Sequence, residues 1–382
     1  MLFFIYIQSA VHINMQSQST LPQRLASLDF LRGMTMVLLT LESTLLFDHL
    51  GPILQGTSAA PVLDQFFHHP WHGLHFWDLV QPTFMFVAGV ALAFSMKKHG
   101  QIHTWRQSFF KILKRCGWLF FWGVLDYAVR KNGLSFELWD VLTQLSFTTL
   151  VAFLIMNWSL PIQIVISGVC LIIPEFLYRY THISGFDQPF TDQHNFGNYI
   201  DLILMNKINP GGWVAINCIS TSAHTIWGVL AGKLLMSNQS GGQKIRYLLL
   251  ASVILFLAGY GLDWSHITPI IKRIATSSFV LVSGGYCLLF LTICYGWIDV
   301  WKHRQRLLFF NLFARNSIFI YLFFEIVGDR WFTRYILTIT GGILGMMHIP
   351  SLVASVLGSL VVFSLEAGLL YFLYVKKIFF RI

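Results

Sequence analysis

Ten apolar stretches, at about 28–47, 76–96, 112–129, 138–156, 160–177, 213–236, 246–264, 275–296, 307–327 and 351–375, follow one another along the 382 residues. A helix needs about 20 mostly apolar residues to cross a bilayer core, so ten of them would occupy roughly 200 positions. The expectation is an all-α, polytopic integral membrane bundle of about ten transmembrane helices. A soluble domain is excluded on the same grounds, because only 11% of the residues are charged against about 25% in soluble chains.

The formal charge of +9 does not mark a nucleic-acid binder, because the basic residues fall in short clusters between apolar runs, as orientation signals do. With ten spans, 17 Lys and Arg fall on the side of both termini, 8 fall on the other side, and Arg315 lies within a span. The positive-inside rule then puts both ends in the cytoplasm and the 48–75 and 178–212 loops outside. The five cysteines, Cys116, Cys170, Cys218, Cys287 and Cys294, lie in or beside apolar runs without a CxxC pair. That usage argues against disulfides and cysteine metal sites.

Residues 1–23 read as a short tail outside the fold: the run MLFFIYIQSAVHI is too short to span and lacks the basic flank of a signal peptide, and Met15 is an alternative start. Residues 24–382 then form one transmembrane domain. A run from Tyr335 to Met347 with Gly341, Gly342 and Gly345 reads as re-entrant or interfacial.

Charged groups inside apolar runs are costly and need partners or a task. Glu42, Asp126, Arg315, Glu325 and Glu366 are of this kind, and Asp29, Arg32, Thr35 and Glu42 gather on one side of the first helix. That side is either a structural polar seam or part of a site. The triplet Arg315, Asn316 and Ser317 suits a lipid headgroup or an anionic ligand.

The densest chemistry is His68, His69, His72 and His75, followed by Asp78 at a helix entrance. Three readings compete. In the first, Trp71 and Trp77 anchor an interfacial loop and Asp78 caps the helix. In the second, the imidazoles hold a metal, although these spacings match no metal signature. In the third, an imidazole oriented by a carboxylate performs acid–base or nucleophilic chemistry.

The segments RLASLDFLRGMTMVLL (24–39) and HHPWHGLHFWDLVQPTFMFVAGVALAFS (68–95) are followed in order by VLTQLSFTTLVAFL (141–154), NPGGWVAINCISTSAHTIWGVLAGKLL (209–235), PIIKRIATSSFVL (269–281) and NSIFIYLFFE (316–325). Together they resemble the heparan-α-glucosaminide N-acetyltransferase-like transmembrane acyltransferases, in a bacterial branch. The resemblance implies transfer of an acetyl or other acyl group from cytoplasmic acetyl-CoA, the acyl donor, to an amino sugar or glycan across the bacterial inner membrane. The residues themselves argue against a metal, by the histidine spacings, and against nucleic acid, by the distribution of basic residues, and Gly-containing helix faces leave a homodimer open.

The family's catalytic histidine, three residues before its W-x-G-L motif, carries over to His68 before Trp71, with His69 as an adjacent rival. Its aspartate carries over to Asp78 and its Asn-Ser pair to Asn316 and Ser317. Ser43 stands where the family has an asparagine, Asn209-Pro210-Gly211-Gly212 replaces D-P-E-G, and Arg315 replaces an apolar residue. On this basis His68 takes the acceptor proton or carries the acyl group, Asp78 holds the ring, and Glu42 relays protons. Asn316 and Ser317 line the donor site, and Arg115 and Arg315 meet CoA phosphates. A non-catalytic transporter or flippase is the rival reading, against which the sequence shows no paired interrupted helices. A structural or lipid-binding role is a third.

Overall fold

The computed structural model describes residues 25–99, 104–129, 134–305 and 307–380; the 1–23 tail lies outside them. Among the described residues there is no strand, and helices follow in the order α1 Ala26–Ser43, α2 Leu46–Leu54, α3 Ala60–Asp64, a 3-10 turn Phe76–Leu79 leading into α4 Val80–His99, α5 Trp105–Ala128, α6 Val141–Ile155, α7 Leu160–Tyr180 and α8 Phe196–Met205. Then come α9 Asn217–Leu235, α10 Gly241–Trp264, α11 Ser277–Cys294, α12 Leu308–Arg315, α13 Ser317–Leu322, α14 Thr333–Met346 and α15 Ser351–Val375. A π-helical stretch, Tyr295–Val300, prolongs α11, and another, Phe323–Phe332, joins α13 to α14.

Several helix starts are written in the sequence. Thr104 with Gln107 and Ser240 with Gln243 form reciprocal capping boxes for α5 and α10, and Asp140 caps α6 by accepting the Leu142 amide at 2.7 Å.

Five helices are long and apolar enough to cross a membrane, and seven if two bent pairs, α1 with α2 and α12 with the helix after it, each count as one span. The remaining members of the expected ten are helices of another character. Of these α6 has 15 residues, about 22 Å at about 1.5 Å per residue. The α5 helix carries Arg106, Lys111, Lys114 and Arg115, and α9 buries Ser220, Thr221, Ser222, His224 and Thr225 inside the protein. Sixty-one percent of the Phe76–Lys97 window and 67% of Ser277–Val300 are buried, against 17% for α10. Thus α4 and α11 are central, whereas α10 turns Val253, Ile254 and Leu257 outward, as a lipid-facing helix would.

The central crossing of α4 and α9 depends on two glycines. A Cβ at Gly89 would strike the Thr225 carbonyl, and one at Gly228 would strike the Phe86 carbonyl. Each backbone thus lies against the other, the close approach that small residues permit in membrane bundles.

The two bent pairs correct the expectation that interrupted helices are absent: the axes turn by 68° between α1 and α2 and by 72° between α12 and its successor. Neither break is marked by glycine or proline. The first turns at Leu45, which adopts the left-handed conformation at φ 61, a state that costs a non-glycine residue about 1–2 kcal/mol. The second turns at Asn316. The Tyr335 to Met347 run is α14, a regular helix that packs against α15.

Candidate functional site

The histidine loop between α3 and α4 is shaped by Asp78. Its Oδ2 accepts the His75 amide at 2.9 Å, capping the 3-10 turn, and the His69 amide at 3.2 Å. Its Oδ1 lies 3.0 Å from His68 Nδ1. The carboxylate therefore caps a helix and holds a ring at once, which joins the first and third readings of this segment. It is fully buried, whereas the His68 side chain keeps 38% of its surface open.

The other rings diverge. His72 Nε2 lies 2.8 Å from Asp263 Oδ1, and His75 Nδ1 lies 3.0 Å from the Phe67 carbonyl. The His69 ring packs edge-on to His75 at 4.7 Å. Among the described residues no group of three His, Cys, Asp or Glu is placed to hold a metal ion.

His68 opens onto a cavity of about 280 Å³ lined by Glu42, Trp77, Tyr127, Trp139, Asp140, Trp213, Lys272, Tyr321 and Glu325, with Gln81 and apolar side chains between them. Glu42 reaches it from the end of α1, just before the break, where Oε1 accepts Trp77 Nε1 at 3.1 Å. Trp77, expected at headgroup level, is only 1% exposed: its indole is turned inward by that carboxylate and wedged against Phe47. From the far part of the chain, Tyr321 donates to Asp140 Oδ2 at 2.8 Å.

Sequence reasoning missed Lys272 at this site. Its Nζ lies 3.0 Å from His68 Nδ1 and 3.5 Å from Asp78 Oδ1, beneath the Trp213 ring at 5.1 Å. The loop carrying it is fastened to the histidine loop, for Gly73 donates to the Ile270 carbonyl at 2.9 Å, and Asp263 Oδ1 accepts both the His72 ring and the Ile270 amide. Burial holds the Lys272 ammonium down at about 8, despite the attraction of Asp78. Burial, with the Lys272 charge beside it, lowers His68 to about 4 although Asp78 pulls the other way. At neutral pH the imidazole is therefore uncharged, one ring nitrogen holding a hydrogen and the other a lone pair.

Of the expected site residues, His68, Asp78 and Glu42 come together. His69 turns away from the cavity. Trp71 lies beside the site, its Nε1 donating to the Phe190 carbonyl at 2.8 Å. Ser43 donates to the Thr40 carbonyl within α1. Asn316 is buried at the second break, where its amide holds the Ile378 carbonyl and the Phe380 amide after α15. Ser317 starts α13 beside it. Arg315 is exposed and stacks over Tyr374 and Phe379, and Arg115 lies on α5. None of these seven lines the cavity that His68 faces.

A family model described as Domain of unknown function (DUF5009) matches residues 24–237. The chain belongs to that family. No curated protein matches it. The DUF5009 match carries Glu42, His68, Asp78, Asp140 and Trp213, and stops before Lys272, Tyr321 and Glu325, so the cavity is built by both halves of the chain.

Proposed function

We propose that the protein is a membrane-bound acyltransferase in which His68 moves an acetyl or other acyl group from acyl-CoA to an amine or hydroxyl of a sugar or glycan. The observation that carries this reading is the His68–Asp78 pair at the mouth of a cavity lined by five carboxyl- or phenol-bearing side chains and three tryptophans. The resemblance of the motifs to the N-acetyltransferase-like family agrees with it. In this mechanism the acceptor gives a proton to His68 Nε2 as its lone pair attacks the thioester carbonyl. The carbon–sulfur bond breaks, the acyl carbon becomes bonded to the acceptor, and the sulfur leaves as CoA thiolate, which takes up the proton. Asp78 fixes the ring throughout, and Glu42 lies within the same cavity to relay protons. Rings and carboxylates around the cavity fit the faces and polar edges of a sugar.

The finer topology belongs to the same proposal: ten spans in one domain over 24–382, both termini cytoplasmic, and His68 facing the periplasm of a bacterial inner membrane. CoA enters from the opposite side. The purified protein in detergent, given acetyl-CoA and glucosamine, should release CoA thiol, and His68→Ala should stop the release while leaving a monodisperse protein. Undiminished release from that variant would overturn the assignment.

The two bent helix pairs favour a second reading, a transporter or flippase, since broken helices flank substrate sites in many carriers. Sugar uptake into proteoliposomes without CoA release would select it.

A further inference from the structure

The His68 ring has a donor and an acceptor aimed at the same nitrogen. An imidazole nitrogen offers one in-plane hydrogen-bonding position, which either gives a hydrogen or receives one. Asp78 Oδ1 and Lys272 Nζ both stand 3.0 Å from Nδ1. The carboxylate asks Nδ1 to carry a hydrogen, and the ammonium asks it not to.

We propose that Lys272 is the positioning residue that decides which nitrogen of His68 carries its hydrogen, and so whether Nε2 meets the cavity as a lone pair or as an N–H. The catalytic meaning of this choice rests on the acyl-transfer reading; the choice itself rests on the geometry. With Lys272 charged, the ammonium satisfies Asp78 and donates to Nδ1, and the ring hydrogen goes to Nε2, which can then attack nothing. With Lys272 neutral, Nδ1–H donates to Asp78, and the Nε2 lone pair is free to accept a proton or an acyl group. No atom is gained or lost except the single proton that leaves Lys272.

Among the described residues, Asp140, Glu325, Tyr127 and Tyr321 line the same cavity as the pair. Lys272 meets Asp78, Glu42 and Arg273, and His68 meets Lys272, Asp78 and Arg273. Arg273 is engaged at the Gly211 carbonyl. The lowered Lys272 ammonium places the change near pH 8.

Diethyl pyrocarbonate, which modifies an unprotonated imidazole nitrogen, reads this directly on the full chain in detergent, with fragment mass spectrometry separating His68 from His69. Wild-type His68 should react slowly at pH 7 and gain rate with a midpoint near pH 8. Lys272→Met should lose that midpoint and react about tenfold faster at pH 7, because one pH unit below a pKa only about a tenth of the amine is neutral. Lys272→Arg, which stays charged, should remain slow through pH 9. Identical profiles in the three proteins would overturn the proposal. If the methionine variant fails to fold, the arginine variant against wild type at pH 9 decides alone: equal rates refute, a slow variant supports. A protein that shows these profiles but releases no CoA would keep this inference and lose the acyltransferase reading.

Discussion

Tyr321 donates its hydroxyl to Asp140 Oδ2 at 2.8 Å, joining the helix beyond the second break to the N-cap of α6. The same Asp140 accepts the Leu142 amide through its other oxygen. One carboxylate therefore starts a helix in the first half of the chain and receives a side chain from the second half.

Replacing Tyr321 by Phe should destabilise the protein by about 1–3 kcal/mol, the range for leaving one member of a buried hydrogen bond unsatisfied. Thermal unfolding in detergent, followed by tryptophan fluorescence, would register this as a lowered midpoint. No change would mean that Asp140 gains nothing from the contact.

His68→Ala and His69→Ala should separate cleanly. The first removes the ring that faces the cavity and should lower transfer by at least about a hundredfold, the lower range for a general base. The second removes a ring packed on His75 and should leave transfer within severalfold of wild type. CoA release under saturating donor measures both, and the reverse order would place the chemistry on His69.

The Gly89–Gly228 crossing should tolerate no side chain. Gly228→Leu forces α4 and α9 apart, because what it meets is the Phe86 backbone rather than a movable side chain. A cost at or above the usual 1–3 kcal/mol of overpacking is expected, visible as a lowered unfolding midpoint. Gly242→Leu, with nothing within 4 Å of its position, serves as the control.

The lowered pKa of His68 has a consequence for stability. Between its ordinary value of 6.5 and its value of about 4 in the fold, the unfolded chain binds a proton that the folded chain does not. Stability from this group is therefore complete above pH 6.5 and is lost as pH falls toward 4. His68→Gln should flatten that part of the stability profile relative to wild type. Parallel profiles for the two proteins over this range would contradict the lowering of His68 by partial burial and the Lys272 charge.

The helical class and the His68–Asp78 pair were legible in the sequence because both rest on local spacing. Apolar runs declare helices, and Asp78 lies close enough to His68 for one capped turn to join them. Lys272 was not legible as a site residue: it lies 204 positions from His68, and a cation between two apolar runs reads as an orientation signal. The signal available was its place in the PIIKR segment, a pair of cations on the side expected to be poor in them. Leu45 carries no mark of a break, since only the surrounding packing makes a leucine adopt a left-handed turn. Trp77 resembled an interfacial anchor because nothing nearby in sequence reveals that Glu42 would meet its indole.

The fastening of the histidine loop to the 263–273 segment limits how the chain can be divided. A fragment ending at residue 237, where the DUF5009 match ends, would retain His68 and Asp78 but lose the clasp at Asp263 and Ile270, together with the ammonium that faces the ring. Transplanting the loop into another bundle meets the same obstacle. The two segments form one heritable part, and any chimera has to exchange them as a pair.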